Sequence, residues 1–268
     1  CRPVLHSTNP NDHQKKYRPA MAGISCTHEK STSCSLGWFF KRKAKTSSLG
    51  LDINEILIGL NNHCGGLENK AEKGDLWLQP SPYDGGTSND KIAMYLYNVP
   101  TKYNEYKCPF RRALTKLYRL VYRITHFREY DVANHVDVAF GKPFSLDDIT
   151  FSIYGIDGKI VGKGRHTLNT IIIKSGRTTG VTSGPIFDPH WNGYVSGRRG
   201  VAWYEDCVLV KAKCAGGDSG SPCISENPET PGTYLIHGLL FAGSDKGDLI
   251  YCKIENIEKE GGVEAITE

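Results

Sequence analysis

From Ala20 onward, short apolar runs alternate with clusters of Gly, Asn, Asp and Pro along most of the chain. Runs rich in β-branched and aromatic residues, bounded by such turn residues, read as strands. The pattern predicts strands near 22–27, 34–41, 54–60, 75–79, 92–97, 135–140, 149–154, 158–162, 169–174, 178–188, 199–204, 206–211, 221–225, 233–242 and 248–253. Many short strands at close spacing point to barrels or sandwiches rather than to βαβ units. One segment departs from this. Phe110, Leu114, Leu117, Tyr118, Val121 and Ile124 recur every three or four residues, which predicts an amphipathic helix near 110–127. Its other face carries Arg111, Arg112, Lys116, Arg119 and Arg123. Two readings of that face stay open: a solvated surface, the commoner case, and a surface for an acidic partner or a membrane. A shorter helix is expected at 254–259, and the polar, aperiodic residues 1–19 read as an arm.

Composition narrows the class. The chain has 268 residues, enough for one or two domains at roughly 150 residues each. Gly supplies 29 of them, above the usual share of about 7%, which fits a turn-rich β protein. The net charge is 33 − 29 = +4, too small to argue for nucleic acid or an anionic membrane. The longest apolar runs, such as Ile171–Ile173, fall far short of the roughly 18 residues of a membrane-spanning helix. Nine Cys is an odd number, so at least one is unpaired in a monomer. No Asn-x-Ser/Thr sequon and no leader are visible. These features lean toward an intracellular setting. The first residue is Cys1 rather than Met, so a segment of a longer precursor is expected.

The densest chemical signal is Cys214-Ala215-Gly216-Gly217-Asp218-Ser219-Gly220-Ser221-Pro222. A serine hydroxyl is a poor nucleophile until a base takes its proton. It must also sit on a tight turn whose N–H groups point at the substrate carbonyl, and Gly217 admits such an approach without a Cβ clash. The N–H groups of Gly217 and Ser219 would then form an oxyanion hole. Taken alone, the motif could also be a Gly-rich turn without chemistry.

Gly217-Asp218-Ser219-Gly220-Ser221-Pro222 resembles the nucleophile motif of trypsin-like serine peptidases of the chymotrypsin fold. Lys174-Ser175-Gly176-Arg177-Thr178-Thr179-Gly180-Val181-Thr182-Ser183-Gly184 is similar to the hairpin that opens the second barrel in bacterial-type members, which carry Ser-Gly-Arg-Thr-Thr-Gly there. The resemblance implies a base upstream. Ile56-Leu57-Ile58-Gly59-Leu60-Asn61-Asn62-His63-Cys64 is similar to the family's strand-then-His-Cys segment, so His63 is the expected general base. Among the other histidines, only His126 and His135 lie close to the acid segment. Val136-Asp137-Val138-Ala139-Phe140 resembles the buried Asp-x-Ala strand that orients the imidazole, while Asp131-Val132-Ala133 offers the same local pattern. Asp137 is preferred, because apolar residues flank it and a Gly-Lys-Pro turn follows; a salt bridge beside the basic helix accounts for Asp131. The order His63, Asp137, Ser219 matches the family.

Further expectations follow from the resemblance. A disulfide often links the places of Cys34 and Cys64; two buried thiols are the alternative. Cys214 and Cys223 do not map onto other family disulfides. Cys26-x-His28 with Cys34 lacks a fourth ligand at zinc spacing. Asp218 needs a cation when buried. No Ile-Val-Gly-Gly start is present, the nearest segment being Met21-Ala22-Gly23-Ile24-Ser25. In bacterial-type members the hairpin Arg supplies the charge, so an Arg177–Asp218 pair is expected. The substrate would add as a strand beside Leu240-Phe241-Ala242-Gly243. The pocket for the residue before the cut would lie between 213–217, 240–243 and 248–251. Lys213, Asp248 and the Leu240/Leu249 pair give conflicting cues to its preference. An insertion near Glu226–Gly232 lengthens a hairpin.

The expected fold is all-β, with two antiparallel six-stranded barrels. The expected units are an arm (1–19), a first barrel (20–145) carrying His63 and Asp137, and a second (146–268) carrying Ser219. The expected activity is that of a serine endopeptidase acting on protein or peptide substrates through an acyl-enzyme. No cofactor, metal, nucleic acid or transmembrane segment is implied. The alternatives are a catalytically silent binding domain of the same fold and a protease limited to its own precursor.

Overall fold

A computed structural model of the chain describes residues 9–43, 52–103, 133–244 and 247–268. The helix expected over 110–127, with His126 and Asp131, lies outside the described residues. The first eight strands are β1 (Ala20–Ala22), β2 (Thr27–His28), β3 (Phe39–Arg42), β4 (Ile56–Leu60), β5 (Leu76–Leu78), β6 (Lys91–Asn98), β7 (Ala139–Pro143) and β8 (Ile149–Ile153). They are followed by β9 (Lys159–Lys163), β10 (Ile171–Gly176), β11 (Gly180–Gly197), β12 (Gly200–Lys213), β13 (Pro222–Glu226), β14 (Thr233–Gly243), β15 (Asp248–Lys253) and β16 (Val263–Ala265). The helices are α1 (Asn62–Gly65) and α2 (Ile254–Gly261).

The architecture is the two-barrel arrangement expected from the sequence. In the second half, β13-β10-β11-β12-β15-β14 closes into a six-stranded barrel through the β13–β14 pairing, and β9 adds to β14 in parallel. In the first half, a seven-stranded sheet runs β16-β3-β4-β7-β6-β5-β2. The halves exchange chain. β16, from the C-terminus, pairs with β3, and β1 pairs with β8 in parallel. One core buries Trp38, Phe39, Phe40, Trp77 and Phe140, and a second buries Ile172, Val208, Val210 and Tyr251. Burying such large side chains is the main favourable term in folding.

Three local departures from the sequence pattern have simple causes. The strand expected over 22–27 is interrupted at Gly23, whose φ of +86° turns the chain between β1 and β2. The runs 199–204 and 206–211 form one strand, β12, because the break at Asp206 (φ +54°) is absorbed as a bulge. Where it is described, the polar segment before β1 is seated on the body. Pro10–Gln14 form a 3-10 turn whose His13 is fully buried, with Nδ1 2.9 Å from the Gly23 carbonyl oxygen.

Cys34 and Cys64 form a disulfide across a sequence separation of 30. A loop of that size restricts the unfolded chain by about 3–4 kcal/mol. Replacing both with Ser should lower unfolding free energy by about that much, read as a lower urea midpoint with a steeper slope, because the unlinked unfolded chain exposes more surface.

Candidate active site

The apolar strand β4 is paired on both edges, by β3 and β7. It therefore delivers the chain rigidly to Asn61 and the single turn α1, where His63 sits. The pairing Leu60↔Ala139 brings the residues just before β7 beside that turn. The Asn61 side chain donates to the Asp137 carbonyl at 2.9 Å. The Asp137 carboxylate, 4% exposed, accepts from the His63 backbone N–H at 3.1 Å and lies 2.5 Å from His63 Nδ1. Nδ1 is thus the protonated nitrogen, and Nε2 is left as the basic one. Burial disfavours the imidazolium, but the Asp137 carboxylate outweighs it, with a further push from Glu68, and the His63 pKa is raised.

Ser219 lies on the turn between β12 and β13. That turn is docked from several sides. Gly220 N–H donates to the Leu240 carbonyl at 2.8 Å, and Ser35 N–H donates to the Ser219 carbonyl at 2.7 Å. Gly217 has φ +98°, and a Cβ there would meet Thr178 Oγ1 at 2.4 Å. The Thr178 hydroxyl donates to the Gly216 carbonyl at 2.7 Å, and the Ser35 hydroxyl to the Gly217 carbonyl at 2.9 Å. In a trans peptide the N–H points opposite to its C=O. Thr178 therefore turns the Gly217 N–H away from itself. Among the described residues, neither Gly217 N–H nor Ser219 N–H has a protein acceptor. Gly217 and Ser219 line one cavity of about 440 Å³ together with His63 and Asp137. No hydrogen bond joins His63 to Ser219 among the described residues; such bonds often tighten only when substrate is bound.

The cation expected beside Asp218 is a different residue. Arg177 turns to Asp84, its Nε 2.9 Å from Oδ2 and its Nη2 on Oδ1, and stacks on Tyr83. Asp218 is instead faced by Lys174, whose Nζ lies 3.4 Å from Oδ2; both side chains are fully buried. The cause is local. Lys174 sits inside β10, between two paired strands, and is directed inward. Arg177 is beyond the strand end, where its N–H is held by Ser35 Oγ and its guanidinium reaches the 82–84 turn. Asp218 also accepts from the N–H groups of Thr178, Thr179 and Ala215 and from the Thr179 hydroxyl, at 2.7–3.0 Å. Burial lowers the Lys174 pKa despite the Asp218 charge.

A second cavity, of about 660 Å³, adjoins Ser219. It lies where the sequence places the specificity pocket, against 214–216, 240–244 and Ile250. Its far wall, with Trp191 and Tyr194, comes from the long β11–β12 hairpin, which sequence reasoning did not connect to the site. Lys213 and Asp248 are not part of this wall. Lys213 is exposed, Asp248 accepts from Lys211 at 2.8 Å, and Leu249 belongs to the second core. No charged residue lines the cavity among the described residues. Cys34, His63 and Cys64 cluster within 4.8 Å, but the disulfide consumes both sulfurs, so no thiolate remains for a metal. The signal that could have revealed Lys174 was a lone cation directly after the apolar run Ile171–Ile173. Asp84, Ser35 and Glu68 carried no such signal.

No protein-family model matches the sequence, and no curated protein is recognisably similar to it. Solved structures do share the fold. Thermobifida fusca protease A is 15% identical with a TM-score of 0.55, the match covering 93% of this chain and all of that one. A Nocardiopsis protease is 18% identical with a TM-score of 0.55, over 92% of this chain and all of the other. Cellulomonas bogoriensis chymotrypsin is 14% identical with a TM-score of 0.53, over 92% and 98%. The chain has the chymotrypsin-like fold of bacterial serine proteases.

Proposed function

We propose that this protease-fold chain is a serine endopeptidase. The observation that carries the reading is the buried Asp137 carboxylate on His63 Nδ1, in the cavity that also contains Ser219 and two N–H groups without acceptors. In this reading, His63 Nε2 takes the Ser219 hydroxyl proton as Oγ attacks the peptide carbonyl carbon. The N–H groups of Gly217 and Ser219 stabilise the oxyanion. His63 then passes its proton to the leaving amine, and water hydrolyses the acyl-enzyme by the reverse sequence. The 20–145 unit supplies base and acid, and the 146–268 unit supplies the nucleophile. The bacterial-type hairpin at 174–184 contributes Thr178, which orients the oxyanion peptide.

The substrate would lie against 240–243. Both backbone groups of Leu240 still bond to the 220–221 turn; beyond it, β14 is paired only by β15 among the described residues, which leaves Phe241–Gly243 as an edge for an added strand. The side chain before the cut enters the uncharged cavity beside Leu240, Phe241, Ala242 and Gly243. Among the described residues that wall offers no partner to a charge, which favours apolar or aromatic side chains.

A fluorophosphonate probe tests the reading. The expected result is covalent labelling mapped by mass analysis to Ser219. The labelling rate should fall as pH drops, because the base must be neutral, with a midpoint above the ordinary histidine value of about 6.5. A folded chain that does not label Ser219 would make the cleft a binding site instead.

A further inference from the structure

The hairpin formed by β11 and β12 reaches from the second barrel to the turn that follows His63. At its tip, Arg198 N–H donates to Glu68 Oε1 at 2.7 Å, and Arg199 Nη1 donates to the Glu68 carbonyl at 2.8 Å. The Arg199 guanidinium also lies over the Tyr103 ring, 5.5 Å from its centroid. The approach is close enough that a side chain at Gly197 would displace the carboxylate. A Cβ at Gly197 would meet Glu68 Oε1 at 2.6 Å. Glu68 is 6% exposed, so its carboxylate is committed to this contact rather than to solvent.

The turn presenting Glu68 is itself unusual. Leu67, Glu68 and Asn69 have φ of +49°, +54° and +69°, three successive non-glycine residues in the left-handed region. Each is disfavoured by contact between Cβ and backbone. The turn persists because it is tied down. Asn69 Oδ1 accepts from Asn62 Nδ2 at 2.6 Å, Asn98 Nδ2 at 2.9 Å and Thr101 N–H at 3.0 Å. Asn69 Nδ2 donates to the Thr101 carbonyl at 2.7 Å. Strain held this firmly next to a reactive site calls for a role.

The held hairpin is the wall of both cavities. Tyr194, Val195 and Ser196 line the uncharged cavity; Val195–Arg198, Ala202 and Tyr204 line the cavity of His63. We infer that Glu68 is a positioning residue for substrate: a latch that clasps the hairpin tip across the cleft and so builds the subsites for residues upstream of the cut. The inference rests on the peptidase reading. It assigns the substrate class as extended peptides that contact the hairpin with two or more residues before the scissile bond. Such contacts use binding energy away from the reacting atoms, so their loss discriminates between long and short substrates.

The test compares kcat/KM for a peptide with four residues before the cut against a blocked single-residue ester. The variants are Glu68→Ala, Glu68→Gln and Gly197→Ala. Losing a hydrogen bond to a charged group should lower the peptide-to-ester ratio about tenfold in Glu68→Ala, mainly through KM. Gly197→Ala should lower it comparably, since the added methyl pushes the tip from the carboxylate. Glu68→Gln keeps an oxygen for the Arg198 N–H and should restore most of the ratio. A general loss of fold would depress both substrates alike and leave the ratio unchanged. An unchanged ratio in both Glu68→Ala and Gly197→Ala, with ester turnover kept at the wild-type level, overturns the latch while leaving the peptidase reading intact. A wild-type chain that turns over neither substrate overturns both.

Discussion

Ser219→Ala and His63→Ala should each lower kcat on a peptide substrate by about 10⁶-fold, and the double variant should be little worse than either. The reason is geometric. In the proposed mechanism, nucleophile and base act as one unit, so removing either removes the proton transfer that makes the other useful. Asp137→Asn should cost about 10⁴-fold. An amide at this position can donate toward His63 Nδ1, now 2.5 Å from a carboxylate oxygen. That would put the imidazole proton on Nε2, where Ser219 needs a lone pair. The His63 pKa, raised against the effect of burial by Asp137, should also fall in Asp137→Asn. Steady-state kinetics across pH would check both effects. Additive losses in the Ser219/His63 pair, or an Asp137→Asn variant with wild-type kcat, would remove the triad from the account.

Lys174→Met should be the most destabilising single change near the site. It leaves the fully buried Asp218 carboxylate without its cation. Breaking a buried pair from one side typically costs about 3–5 kcal/mol. Asp218 directly precedes Ser219, and its oxygens collect the N–H groups of Thr178, Thr179 and Ala215. The loss should therefore reach the nucleophile turn. Labelling by a fluorophosphonate should slow even at temperatures where the variant is folded. Lys174→Met/Asp218→Asn removes both charges and should recover much of the stability. Its labelling should stay below wild type, because an amide replaces one of the two acceptor oxygens that hold the turn. Denaturant melts paired with labelling rates give the cycle. A Lys174→Met variant with wild-type stability and labelling would show that the N–H donors hold Asp218 by themselves.

Beside Asp218, Lys174 stands where Arg177 was expected. His13, from the segment before β1, is buried nearby. Burial lowers its pKa, and the Lys174 charge adds to that, so a neutral imidazole is favoured there.

Much of the architecture was legible because strands write their own pattern. Residues in β4, β6, β10, β14 and β15 alternate or run apolar between turn residues, and each was expected within a few positions. That Gly217–Pro222 form a turn and that His63 follows the end of an apolar strand was legible for a similar reason: a tight turn or a strand end depends on a few adjacent residues. The Cys34–Cys64 bridge was anticipated only through resemblance. Helix-like periodicity at 110–127 concerns residues outside those described.

Tertiary structure decided the contacts between distant parts of the chain. From sequence, Arg177 and Lys174 are equivalent cations three residues apart. Only the inward direction of a strand position, against the outward one of a turn, assigns Lys174 to Asp218 and Arg177 to Asp84. Likewise Lys213 and Asp248 look like pocket charges until the register of β12 and β15 keeps both off the wall. The clasp of Glu68 by Gly197–Arg199 depends on two loops from different barrels meeting across the cleft. The sequence by itself determined the elements and the turns on which the candidate residues sit, because those depend on neighbours along the chain. Strand register and barrel packing decided which cation is buried, which side chains line the cleft and which turn latches the hairpin, because these depend on neighbours in space.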